Sequence, residues 1–158
     1  MIRKVDKNDF AQIVQILRDV QNSGNSYFFE NMSDEQLLDY WIKPGFTCFV
    51  AQENDHILGS YILGAIAEGR FSHTANASYI VSKNARGKGI GKKLAQHSVE
   101  FAKNCGFKAI QFQRVVSTNF AAVETWKKAG FNIIGTIPKA FRHKDLGFVD
   151  AYIFHREL

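Results

Sequence analysis

Between Tyr79 and Leu94 the chain changes character within a few residues. The apolar run Tyr79-Ile80-Val81 passes through Ser82-Lys83-Asn84-Ala85-Arg86 into Gly87-Lys88-Gly89-Ile90-Gly91, and a helical pattern follows at once with Lys92-Lys93-Leu94. A strand that turns directly into a helix needs a sheet on one side and a packed helix on the other, so the fold mixes both elements. Successive peptide N–H groups at such a corner, with the positive end of the helix dipole, form a nest for an anion. Glycines let the chain bend there and let oxygens come close to the amides. Arg86, Lys88, Lys92 and Lys93 add positive charge, and the same features also suit a solvated basic turn.

The spacing excludes two common phosphate loops. A Walker A loop needs Gly-x4-Gly-Lys-Ser/Thr, but Arg86 stands at the first glycine and Lys93 at the hydroxyl position. A dinucleotide fingerprint needs a third glycine where Lys92 stands, and this segment lies in mid-chain behind hairpins.

The 158 residues fit one domain, residues 1–158, with 46% apolar and 22% charged side chains. A formal net charge of +5 favours anionic partners without naming one. Nucleic acid is not expected, because no recognised binding motif is present and aromatics do not interleave with the basic patch. No metal-ligand spacing links Cys48 and Cys105, both of which read as buried small hydrophobes in a reducing compartment. The N-terminus lacks a signal-like apolar stretch and no run reaches a membrane span, so a cytoplasmic, non-membrane chain is expected.

The remaining elements follow from periodicity. Ile2 to Val5 reads as a strand, and Asp6 or Asn8 caps a helix carrying Ile13, Leu17 and Val20 at helical spacing. Ser33-Asp34-Glu35-Gln36 is a capping-box pattern opening a second helix that Pro44-Gly45 ends. Strands are expected over Phe46 to Gln52, Ile57 to Ile66 and Thr74 to Val81, joined as antiparallel hairpins. A third helix runs from Ile90 to Cys105 and a strand from Lys108 to Val116. Ser117 or Thr118 caps a fourth helix that Gly130 stops, and strands follow over Phe131 to Ile137 and Phe148 to Phe154. The order β-α-α-β-β-β-α-β-α-β-β describes an α/β (α+β) fold in which strand-helix-strand units make parallel neighbours.

Val81-x4-Arg86-Gly87-x-Gly89-x-Gly91 at the start of a helix resembles the acetyl-CoA motif of the GCN5-related N-acetyltransferase superfamily. Ser117-Thr118-Asn119-x2-Ala122-x3-Trp126-x3-Gly130-Phe131 resembles the superfamily's next block, and the element order agrees from end to end. The C-terminal Gly135 to His143 and Gly147 to Asp150, with the early Asn25 to Phe29, are similar to the phosphinothricin-type acetyltransferases of bacteria. The resemblance implies a mixed, mostly antiparallel sheet of about seven strands flanked by about four helices.

It also implies a mode of action. Acetyl-CoA is the expected cosubstrate and the primary amine of a small, amino-acid-like molecule the acceptor. A protein amine, or a non-catalytic CoA sensor, is the alternative. The amides from Gly87 to Lys92, with Arg86, Lys88 and Ile90, would hold the pyrophosphate; the pantetheine arm would pair along Tyr79, Ile80 and Val81 like an added strand. Asn119 would bond the arm from the other side, Trp126 would wall its channel, and a main-chain N–H near Val81 would polarise the thioester carbonyl. Two positions depart from the family pattern. Asn76 stands where phosphinothricin-type enzymes carry a glutamate, and Trp126 where many members carry a tyrosine that protonates the thiolate. No base is therefore assigned: Tyr79, His73 and His143 are the candidates, and Asn76, whose amide is no base, is a catalytic candidate only for holding a water or the acceptor amine. Tyr27, Phe28 and Phe29 are candidate acceptor-pocket residues, and Arg142 a candidate carboxylate clamp. Glu68 falls in a turn and reads as solvated. No metal is expected, and the resemblance allows a homodimer.

Overall fold

A computed structural model describes residues 1–158. Seven strands form one sheet in the order β1-β2-β3-β4-β5-β7-β6. They are β1 (Ile2–Lys4), β2 (Phe46–Glu53), β3 (His56–Ala65), β4 (Thr74–Val81), β5 (Ala109–Val116), β6 (Asn132–His143) and β7 (Gly147–Glu157). Four helices, α1 (Phe10–Ser23), α2 (Asp34–Trp41), α3 (Ile90–Asn104) and α4 (Phe120–Lys128), cover its faces. Every neighbouring pair is antiparallel except β4 and β5. The mixed, mostly antiparallel architecture matches the expectation.

Strand alternation divides the interior into two cores. Phe49, Tyr61, Tyr79 and Ala77 face α3 and α4, whereas Cys48, Val50, Ile62 and Ile80 face α1 and α2. The helices answer with Leu94, Val99, Val123 and Trp126 on one side and Ile13, Leu17, Leu37 and Trp41 on the other. Each buried Val, Leu, Ile or Phe among them contributes about 1.5–3 kcal/mol by leaving water. Trp41 is fully buried, and its indole N–H donates to Ser60 Oγ at 2.9 Å, so the polar end of the ring is satisfied.

The expected cap holds at α2, whereas Asp6 caps only the 3-10 turn Lys7–Asp9 and α1 itself starts from Asp9 without a side-chain cap. Asp6 accepts from the Asn8 N–H at the 3-10 turn that leads into α1, and Ser33 and Gln36 form a reciprocal capping box on α2. At α4 the cap is Asn119, not Ser117 or Thr118, because the Ser117 N–H is still bonded across the sheet to the Asp150 carbonyl. The expected end of β6 at Ile137 is also corrected. The strand bulges between Ile137 and Phe141, with Lys139 at φ 49°, and resumes to His143. Cys105 is exposed rather than buried, since it caps the solvent end of α3; Cys48 is buried as expected, its thiol pushed up to about 11 by burial. The β5-α4-β6 unit does not make parallel neighbours, because β7 folds back and takes the place beside β5.

Candidate active site

The parallel pair β4 and β5 is joined only at Thr74–Ala109 and Ala75–Ile110. Beyond that point β5 carries a bulge between Phe112 and Val115, where Gln113 and Arg114 add a residue relative to β7. A bulge bends its strand and increases the local twist, so β5 turns away from β4 and the sheet opens. The Ser82 N–H donates to Leu58 on the β3 side, and by strand alternation Tyr79 and Val81 present their peptide groups to the opening. The Tyr27 hydroxyl fills one of those places, accepting from the Tyr79 N–H at 2.9 Å and donating to the Tyr79 carbonyl at 2.8 Å.

A cavity of about 240 Å³ passes through this opening. Asn119, Ala122 and Trp126 line it from the α4 side, and Tyr27, Phe28 and Tyr40 from the side of α2 and the segment before it. Asn76, Ser78 and Tyr79 form the β4 wall and Gln113 and Arg114 the β5 wall. An outer cavity of about 560 Å³ shares Phe28, Tyr40, Asn76, Gln113 and Arg114 with it and adds Lys43 and Phe46. No Asp, Glu or His lines either cavity. No group of three or more His, Cys, Asp or Glu side chains could hold a metal ion, and no helix is long and apolar enough to cross a membrane.

The corner between β4 and α3 has the anatomy of an anion nest. Gly87 and Gly89 sit at φ 75° and 74°, in the left-handed region that favours glycine, and the space where a Cβ would project is open. Gly89 caps α3 without any side-chain hydrogen bond. The peptide N–H groups of Gly87, Gly89, Ile90, Gly91 and Lys92 meet no acceptor in the chain. Five free donors at a helix N-terminus suit a diphosphate.

Residues 12–131 match the model of the Acetyltransferase (GNAT) family. The chain belongs to this family. Over 99 residues it is 38% identical to N-acetyltransferase aca1 of Schizosaccharomyces pombe, a match spanning 62% of this chain but only 47% of that protein. It is 26% identical to L-amino acid N-acetyltransferase AaaT of Escherichia coli over 99% of this chain and 96% of the relative. Among solved structures, a GCN5-related N-acetyltransferase from Kribbella flavida superposes with a TM-score of 0.96 at 35% identity, covering 100% of this chain and 97% of the other. A phosphinothricin acetyltransferase from Sinorhizobium meliloti, solved with AcCoA, shares the fold at a TM-score of 0.88 and 21% identity, covering 100% and 88%.

Within this GNAT framework the residues singled out in the sequence separate into groups. Tyr27, Phe28, Asn76, Tyr79, Asn119 and Trp126 meet around the inner cavity. Gly87 and Gly89 to Lys92 form the separate nest; the Lys88 N–H, expected to join it, donates instead to the Ala85 carbonyl at 3.4 Å, and the Ile80 side chain packs into the core against α1 and α2. The Tyr79 hydroxyl points away from the cavity, bonded to Ser98 Oγ at 2.7 Å, and burial pushes its ionisation far up; only its peptide group borders the opening. Trp126 packs against Tyr79 and Phe112 with ring centroids 4.6 and 4.9 Å away, so one face serves the core and another the cavity wall.

Arg142 and His143 stand outside both cavities. The Arg142 guanidinium donates to both carboxylate oxygens of Glu30 at 2.7 Å, and His143 Nδ1 accepts from the Asp145 and Leu146 N–H groups in the β6–β7 turn. His73 is exposed just before β4, and Glu68 caps a 3-10 turn at Gly69–Phe71. Phe29 is buried in the core beneath Tyr27 rather than in the cavity. Sequence reasoning missed Tyr40, Lys43, Gln113 and Arg114. The available signal was the break in β5 alternation, where Ile110 and Phe112 point inward and Val116 resumes only after the inserted polar pair.

Proposed function

We propose that the chain transfers the acetyl group of acetyl-CoA to the amine of a small, amino-acid-like acceptor by direct attack. The observation that carries this reading is the presence, on one strand-to-helix unit, of a five-donor nest at α3 and an opening between β4 and β5 that leads into a cavity. The names of AaaT and of the phosphinothricin acetyltransferase support the substrate class and the cosubstrate. The nest residues would hold the diphosphate, and the edge of β4 at Val81, beyond the Tyr79 groups that Tyr27 already closes, would pair with the pantetheine amides.

The cavity wall dictates how the acceptor is handled. Alkyl ammonium groups ionise near ~10.4, so a proton must leave before nitrogen can attack. No carboxylate or imidazole lines the cavity to take it, and water is the acceptor. Asn76 donates to the Gln111 carbonyl at 3.0 Å, which fixes the amide and leaves its Oδ1 to orient an amine N–H. Peptide N–H groups on the β4 edge would receive the developing oxyanion; loss of one such donor typically costs about 2.7–4 kcal/mol. The nitrogen adds to the thioester carbonyl to give a tetrahedral oxyanion, whose collapse breaks the C–S bond; the thiolate leaves without a phenol at position 126, and the second nitrogen proton passes through water to it. Incubating the protein with acetyl-CoA and a panel of amino acids and simple amines, read by free thiol release, tests this. Acceptor-dependent thiol is the expected result, and its absence across the panel would refute the assignment.

A further inference from the structure

We infer that the acceptor is an aminodicarboxylate, with the carboxylate beside the reacting amine held by Arg114 and the distal one by Lys43. This rests on the acetyltransferase reading above and deepens it to a substrate class.

Three observations lead there. The inner and outer cavities share Arg114, and the outer one adds Lys43, so an acceptor reaching outward from Asn76 meets both cations. Neither cation has an internal counter-ion. Arg3, Arg18 and Arg142 are each paired with a carboxylate of the chain, whereas Arg114 and Lys43 take part in no ion pair or side-chain hydrogen bond. Lys43 is also held in place: its Nζ lies 4.3 Å from the ring centre of Tyr40 and 4.1 Å from that of Phe46. Two aromatic faces steady an ammonium without neutralising it. Burial lowers its pKa, which a bound anion would reverse.

The chemistry of recognition follows. A free guanidinium takes a carboxylate through two parallel N–H donors, and a fixed ammonium adds a point charge for a second anion. With no acidic group in either cavity, a polyamine or aminoglycoside would bring positive charge into a positive cleft. An aminodicarboxylate cancels both charges.

Binding of L-glutamate, L-glutamine and putrescine to the CoA-saturated protein, measured by calorimetry, tests this without requiring turnover. Glutamate is expected to bind at least roughly tenfold tighter than glutamine, and putrescine not measurably. Lys43→Gln should erase the preference for glutamate, Lys43→Arg should restore it, and Arg114→Gln should weaken both amino acids; thermal melts confirm that each variant is folded. Equal binding of glutamate and glutamine, no binding of either, or a preference that survives Lys43→Gln would overturn the inference. Thiol release from acetyl-CoA is read separately. Turnover of amines without regard to charge would sink the anion site and leave the transferase, whereas selective glutamate binding without thiol release would do the reverse.

Discussion

The phenol of Tyr27 closes both main-chain hydrogen bonds of Tyr79, its N–H and its C=O, across 52 residues of sequence. One hydroxyl thus occupies the strand-edge position beside the opening, as a neighbouring strand would. Burial pushes the Tyr27 phenol well above its ordinary ionisation range, so it remains a neutral donor and acceptor at any physiological pH. Its removal by Tyr27→Phe leaves a buried N–H and C=O unpaired, which should cost about 1–3 kcal/mol of stability in the free protein. Denaturant unfolding checks this, and an unchanged midpoint would mean that water already satisfies the edge.

Gly89→Trp attacks the nest. The residue sits at φ 74°, so any side chain is strained there, and the ring would project over the free amides of α3. CoA affinity is expected to fall by at least roughly tenfold, about 1.4 kcal/mol, with the fold retained. Calorimetric titration measures it, and wild-type affinity would place the diphosphate elsewhere.

Trp126→Phe separates packing from chemistry. The smaller ring loses contact with Tyr79 and Phe112, for an expected loss of about 1–3 kcal/mol in stability. Turnover should largely persist, because an indole N–H cannot serve as the acid for a departing thiolate. A collapse in kcat with an intact near-ultraviolet spectrum would show that the N–H itself is used.

Stability should fall on mild acidification through His97. Burial depresses its pKa, and the imidazole sits against the Phe49 ring with Nδ1 2.7 Å from the Tyr61 hydroxyl. The unfolded chain binds this proton near pH ~6.5 and the folded one only at lower pH, so the contribution is intact above ~6.5. It is lost as pH drops through the lowered folded value. Unfolding free energies measured from neutral to mildly acidic pH should decline in the wild type and less so in His97→Gln.

Much of the fold was legible because its signals are local. Asp6, Ser33 and Gln36 cap helices through bonds that span a few residues, and the Gly87-x-Gly89-x-Gly91 corner needs only its own backbone to shape a nest. The same locality explains where reading failed. Nothing near Cys105 distinguishes a buried helix face from an exposed helix end, and Pro138 conceals a bulge after which β6 continues.

Sequence alone determined the strand-to-helix corner, the alternation that sorts β2, β3 and β4 onto two cores, and the apolar stripes of the helices. These depend on covalent geometry and on periods of two and 3.6 residues. Tertiary structure alone decided the opening between β4 and β5, the seat of Tyr27 on Tyr79, the pairing of Arg142 with Glu30 and the unpaired state of Arg114. Those outcomes depend on which distant segments compete for the same hydrogen bonds and charges, and that competition is settled only when the sheet is assembled.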